Sequence, residues 1–180
     1  MDSSKKEQAL KMAKITTIDL LESTRPLHAI LDTCKNLCKL IGISDQTTWI
    51  DLEINGYLVK YKNREDLLQN LPSYRKTGCR YYDLYGNLVS LRPSMLDIFG
   101  SATVYHPIKE LENNEKVIVD AKLLEKFNKF ISEHGMDQTS KNLRIHEARI
   151  AKDDIKHVLE GVKNRVQELL DMIISLLEMQ

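Results

Sequence analysis

Apolar positions along the chain follow a helical period at both ends and an alternating one in the middle. After six polar residues, read as a frayed, disordered tail (1–6), Leu10, Ile15, Ile18 and Leu21 recur at roughly helical spacing. Pro26 stops that helix and opens the next, since proline suits a first helical position. Leu27, Ile30, Leu31, Cys34, Leu37, Cys38 and Ile41 then follow the i, i+3, i+4 pattern of an amphipathic helix, closed by Gly42. A third helix is expected from Ser44 or Asp45, either of which can cap it, through Trp49, Ile50, Leu52, Glu53 and Tyr57 to Lys62. Gly56 falls inside that helix at a cost of about 1 kcal/mol relative to alanine, which points to another element packed close against it.

Residues 63–77 mix polarity and read as a loop. From Cys79 the period changes from 3.6 to 2. Cys79–Leu84 reads as a tyrosine-rich strand, Gly86-Asn87 as a tight turn, and Leu88–Leu91 as the returning strand that Pro93 ends. Pro107–Glu112 predicts a short helix, and Val117-Ile118-Val119 is too brief an apolar run to assign. Asp120 is placed to cap a helix reaching Phe130 and closed by Gly135, and Leu143–Ile150 alternates weakly, like a strand. From Asp153 the pattern is clearest. Ile155, Leu159, Val162, Val166, Leu169, Ile173 and Leu176 form an a/d heptad series, and Val158, Leu170, Ile174 and Leu177 widen the stripe. That width fits packing on the protein's own core, alone or together with a homodimer seam along the heptad. The fold expected is α+β and mostly helical: N-terminal helices, a small antiparallel sheet and a long C-terminal helix in one domain, 1–180.

Charge removes one class of function from the front rank. With 26 basic and 26 acidic residues the net charge is zero, whereas a dedicated nucleic-acid binder carries a basic excess. A local basic face stays open to nucleic acid. Three cysteines fit a reducing compartment better than a disulfide framework. The first residues lack the apolar core of a signal peptide, and no apolar run reaches the roughly 18 residues of a membrane span. A cytoplasmic protein without membrane association, cofactor or metal is expected. Cys34 and Cys38 share a helix face, but a structural zinc site wants four ligands, so they are read as buried small hydrophobes.

Three groups of residues invite a chemical reading. The run Val117-Ile118-Val119-Asp120-Ala121-Lys122 resembles the carboxylate-and-lysine end of a metal-dependent nuclease, with Glu110 or Glu112 as an upstream acid. The competing reading makes Asp120 a helix cap and Lys122 a solvated first-turn residue. His146 and His157 lack a paired nucleophile at any diagnostic spacing. Tyr74, Arg75, Lys76, Arg80, Tyr81, Tyr82 and Tyr85 combine the residue types that anchor interfaces, or stack on bases, although half-buried strands favour tyrosine anyway. Tyr74, Arg75, Arg80, Tyr82 and Tyr85 are the proposed contact residues. Glu53 and Arg75, polar amid apolar neighbours, are expected to form a buried ion pair.

Several segments fall into one recognisable order. Leu37-Cys38-Lys39-Leu40-Ile41-Gly42 precedes Trp49-Ile50-Asp51-Leu52-Glu53-Ile54-Asn55-Gly56-Tyr57, followed by Leu71-Pro72-Ser73-Tyr74-Arg75, a tyrosine-rich strand with Gly86, and Val158-Leu159-Glu160-Gly161-Val162-Lys163-Asn164-Arg165-Val166. Together these resemble the AbiTii domain of prokaryotic abortive-infection systems, over residues 17–178. The chain departs mildly, with Lys163 where arginine is usual and Ile54 where leucine is usual. The resemblance brings no catalytic residue set. It implies a role in antiphage defence as sensor, adaptor or toxin component, with Trp49, Glu53, Asn55, Gly56 and Tyr57 as a structural signature. The function expected is a non-enzymatic module that binds a protein partner or a phage-derived trigger. The alternatives are a toxin nuclease using Asp120 and Lys122, and an oligomerisation module built on the heptad.

Overall fold

The computed structural model describes residues 3–119, 121–134 and 144–179. The chain is α+β and mostly helical, with small antiparallel sheets and a long C-terminal helix. Its contacts group into two compact units, one of Met1–Arg75, Tyr105–Asn113 and Val158–Gln180, the other of Lys76–Val104 and Asn114–His157. No described helix is long and apolar enough to cross a membrane.

The first unit begins with α1 (Ser3–Glu22), so Ser3–Lys6 are helical rather than frayed. α1 packs on α2 (Leu27–Ile41) across a tight turn in which Ser23 takes φ 53°. α2 buries Leu27, Ile30, Leu31, Cys34, Leu37 and Cys38, the face expected of it, and ends at Gly42 with φ 80°. α1 does the opposite of what its apolar spacing predicts. It buries Ala9, Ala13, Thr16 and Leu20, and leaves Ile15, Ile18 and Leu21 49%, 53% and 71% exposed. Small side chains let two helices approach closely, and Thr16 enters the interface without a penalty because its hydroxyl donates to the Met12 carbonyl at 2.7 Å.

The third helix is shorter than expected. A 3-10 turn at Ser44–Gln46 leads into α3 (Thr47–Asn55), and Gly56, at φ 81°, ends it instead of lying inside it. The reading that Gly56 admits a neighbour holds. A Cβ there would lie 3.0 Å from Pro107 Cδ and 3.1 Å from the Tyr105 carbonyl oxygen, which also accepts from the Tyr57 amide at 2.9 Å. Residues 63–77, expected as a loop, contain α4 (Arg64–Asn70), a 3-10 turn at Ser73–Arg75, and a first strand. α4 is too short for periodicity to reveal, but Asn63 caps it by accepting from the Asp66 amide at 2.8 Å. The short helix α6 (Ile108–Asn113) appears close to where expected, and its Glu112 carboxylate accepts from the Leu27 and His28 amides and contacts the His28 ring. That long-range contact supplies the cap α2 lacks locally.

In the second unit, β1 (Lys76–Gly78) pairs with β4 (Ser101–Thr103). A separate four-stranded antiparallel sheet runs in the order β3 (Leu88–Val89), β2 (Arg80–Tyr82), β6 (Glu147–Ala151), β5 (Lys116–Ile118). The expected Tyr-rich hairpin is the β2–β3 pair, shortened to Tyr81 opposite Val89 and Tyr82 opposite Leu88. Pro93 does more than end it, since it opens α5 (Pro93–Phe99). The ambiguous run at 117–119 contributes β5 at the sheet's edge. Side chains alternate across the sheet, so Tyr81 and Ala148 face inward onto Phe127 and Ile131 of α7 (Ala121–His134), with Ile145 completing the core. Tyr81 and Phe127 rings lie 4.6 Å apart, and the Tyr81 hydroxyl donates to the Phe99 carbonyl at 2.6 Å. Asn128 both donates to and accepts from the Ile145 backbone, each bond at 2.8 Å, which holds the chain as it enters β6. Gly135 and Leu143 lie outside the described residues.

The C-terminal helix, α8 (Lys152–Met179), begins one residue before the expected Asp153. Its buried stripe is Ile155, Val158, Val162, Val166, Leu169, Leu170, Ile173 and Leu177. Gly161 lies within that helix where Tyr74 packs against it: a Cβ at 161 would sit 2.3 Å from Tyr74 Cβ and 2.5 Å from Cγ. Alanine favours a helix over glycine by about 1 kcal/mol, but overpacking typically costs about 1–3 kcal/mol. Gly161→Ala is therefore expected to lower the thermal melting temperature; a rise would show that Tyr74 swings aside freely.

Candidate functional site

The residues that look most functional in sequence divide between the two units. In the first, α3 places Glu53, the turn at Ser73–Arg75 places Tyr74 and Arg75, and α8 places Arg165. Glu53 and Arg75 form the expected ion pair, and both side chains are wholly excluded from solvent. Three further groups bond to the pair. Glu53 Oε1 accepts from the Tyr57 hydroxyl at 2.6 Å and the Tyr74 hydroxyl at 2.7 Å, while Arg75 Nη1 donates to the His106 carbonyl at 2.8 Å. Arg75 also lies over the Tyr57 ring at 5.1 Å. Outside this centre Arg165 sits 4.3 Å from the Trp49 ring and donates to the Tyr74 hydroxyl at 3.5 Å. Burial, then the Glu53 charge, pushes the Tyr74 hydroxyl up to about 12, and the same two causes raise Tyr57 further.

This network is a fastener, and it engages two of the proposed contact residues. Arg75 is fully buried, and Tyr74 is half-buried with its hydroxyl committed to Glu53. Tyr74 and Arg75 belong to the first unit, whereas Arg80, Tyr82 and Tyr85 belong to the second. Of the signature residues, Trp49, Glu53, Gly56 and Tyr57 are buried, whereas Asn55 is exposed and donates to the Asp51 carbonyl at 3.0 Å.

Arg80, Tyr82 and Tyr85 belong to the second unit. Arg80 and Tyr82 alternate with the buried Tyr81, so they occupy the sheet's other face. Strand register puts more on that face than the β2 sequence reveals. Tyr82 stands opposite Leu88 on one side and Glu147 on the other, Arg80 opposite Arg149, and Arg149 opposite Ile118. Leu88 is 61% exposed and Ile118 50%. Tyr85 projects from the hairpin tip, where Asp83 accepts from the Tyr85 and Asn87 amides at 2.9 Å and 2.8 Å. The face is ordered by its own charges. Arg149 lies 4.1 Å over the Tyr82 ring and forms a forked pair with Glu147, which Lys116 also reaches at 3.4 Å. Bonding from Arg149 holds the Glu147 carboxyl below its usual range. At the edge Asp154 meets Arg80 at 3.8 Å and accepts from Thr77 at 3.1 Å. Arg149, Glu147, Lys116, Leu88 and Ile118 were missed in the sequence, since they lie on three strands that only pairing aligns.

The other candidates carry less. Asp120 lies outside the described residues. Lys122 is exposed in the first turn of α7, in the second unit, whereas Glu110 and Glu112 belong to the first. Glu112 is occupied as the α2 cap. Among the described residues no three His, Cys, Asp or Glu side chains group to hold a metal. Cys34 and Cys38 are fully buried, and burial pushes their thiols up to about 12 and about 11. On the heptad, Ile155, Val162, Val166, Leu169 and Ile173 are buried within the chain itself, Leu159 is half-buried and Leu176 is 36% exposed.

The chain belongs to the AbiTii family, whose model matches residues 17–178. Membership places it with abortive-infection antiphage systems. No curated protein and no solved structure matches it.

Two outcomes test the buried network. Glu53→Gln leaves the Arg75 guanidinium buried without its counter-charge and is expected to cost about 3–5 kcal/mol in urea denaturation; an unchanged midpoint would show that the pair is hydrated. Tyr74, with an ordinary value of 10.0 raised to about 12, contributes stability below pH 10 that is lost as pH rises toward 12. The urea midpoint should fall across that window, and fall less in Tyr74→Phe.

Proposed function

We propose that this AbiTii-family chain is a non-enzymatic recognition module of an abortive-infection system, and that the open face of its four-stranded sheet contacts a protein partner or a phage-derived protein trigger. One observation carries the reading. The sheet is covered on one side by α7 and α5, while the other side exposes Leu88, Tyr82, Arg80, Arg149 and Ile118. Exposed apolar residues grouped on one face mark interaction sites more often than apolar residues scattered singly do. Tyrosine and arginine are the side chains most often found at energetic centres of interfaces. Stacking of Arg149 on Tyr82 holds both before contact, which lowers the ordering cost of association.

The charge pattern favours protein over nucleic acid. Arg149 and Lys116 are engaged by Glu147, and Arg80 is near Asp154. A polyanion would have to displace those carboxylates, whereas a protein surface with alternating charges would match them.

Cells carrying the chain with its neighbouring genes provide the test. Tyr82→Ala and Arg80→Ala are expected to abolish protection against phage, and capture of the partner, while leaving the melting temperature within a few degrees of wild type. Full protection by both variants would reject the face. Expression of the chain alone, beside an Asp120→Ala, Lys122→Ala double variant, separates the toxin reading. Unimpaired growth in both supports recognition, and arrest relieved by the double variant supports an enzyme.

A further inference from the structure

α1 presents an apolar row that the protein itself does not cover. Its inward side is Ala9, Ala13, Thr16 and Leu20. At 100° per residue, Ile18 lies almost diametrically opposite that side, flanked by Ile15 and Leu21. The three are 49%, 53% and 71% exposed, in the order Ile15, Ile18, Leu21. They differ from scattered surface hydrophobes in lying three residues apart on one ridge of one helix.

The charges on α1 are sorted along its length. Lys5, Lys6, Lys11 and Lys14 stand with Glu7 in the N-terminal part, and Asp19 and Glu22 in the C-terminal part. A parallel neighbour with this pattern would set like charges together. An antiparallel neighbour overlapping residues 14–22 would set Lys14 against Glu22. An axis through Ile18 then pairs residue i with 36 − i, which brings Ile18 onto Ile18, Ile15 onto Leu21 and Lys14 onto Glu22. All three layers are complementary. Lys14 is positioned for this at the helix surface, where it pairs with the exposed Glu178 at 2.7 Å, a contact worth little and readily shared. About half or more of each of Ile15, Ile18 and Leu21 is open to a second helix.

We propose that α1 is a self-association surface. Two copies of this chain pair their first helices antiparallel about a two-fold axis at Ile18, with Ile15, Ile18 and Leu21 as the seam and Lys14–Glu22 pairs closing each end. This is independent of the open sheet face and of the α8 heptad, most of which is spent on the chain's own core.

Sedimentation velocity of the full chain across a concentration series should show a monomer–dimer equilibrium. Ile18→Glu places two carboxylates on the axis and is expected to raise the dimer dissociation constant by roughly 100-fold or more. Lys14→Glu and Glu22→Lys should each weaken the dimer, and the two together should restore it. That rescue cannot come from the Lys14–Glu178 contact, which the double variant leaves repulsive. Oxidation of Ile18→Cys should link two chains through residue 18, Leu21→Cys alone should not link, and a mixture of Ile15→Cys with Leu21→Cys should. The wild-type chain, with Cys34, Cys38 and Cys79, controls for native thiols. A monomer at every concentration, a dimer indifferent to Ile18→Glu, or self-linking of Leu21→Cys would each overturn the proposal.

Discussion

Everything in the first unit is arranged around a dry ion pair. Removing Glu53 and Arg75 from water costs several kcal/mol for each charge, and their attraction offsets that only if every remaining lone pair and proton finds a partner. Three partners come from separate segments: Tyr57 after α3, Tyr74 within the 3-10 turn, and the His106 carbonyl before α6. If any one segment slipped, a buried charge would be left exposed to an apolar surrounding. The pair thus acts less as a source of stability than as a constraint on register. Gly56 and Gly161 serve the same constraint from outside, one by admitting Tyr105 and Pro107, the other by admitting the Tyr74 ring.

That arrangement explains why the family signature says so little about recognition. Trp49, Glu53, Gly56, Tyr57, Tyr74, Arg75, Gly161 and Arg165 define one fastening point in one unit, the first four and Arg75 buried and the other three partly so. Surface capable of meeting a partner lies on elements with weaker sequence patterns: a sheet whose strands are two to five residues long, and the outer side of α1. The chemistry of the open face is also self-limiting. Its arginines are already matched by carboxylates, which orders them while holding the face near neutrality.

Period is a reliable guide where one large apolar stripe packs on one neighbour. α2 and α8 meet that condition, and so does the alternation of Tyr81 with Arg80 and Tyr82. It misleads on α1. There the interface needs closeness more than apolar area, so alanine and threonine go inside and the isoleucines stay out. Local signals of another kind were present but quiet: Asn63 three residues before Asp66 marks α4, and Pro93 marks the start of α5 as readily as the end of a strand. The third helix illustrates the reverse error, since Gly56 breaks rather than bends when φ turns positive.

What the sequence by itself determined is the helical character of the two ends, the hairpin between them, the Glu53–Arg75 pairing and the family. These depend on local spacing, or on the rule that a charge amid apolar neighbours needs a partner. Only the tertiary structure decided which side of α1 is buried, that Arg75 belongs to a core and Arg80 to a surface, and that Leu88, Tyr82, Glu147, Arg149 and Ile118 share one face. The reason is physical. Strand register and helix separation are set by contacts between residues far apart in the chain, and no periodicity within a single segment records them.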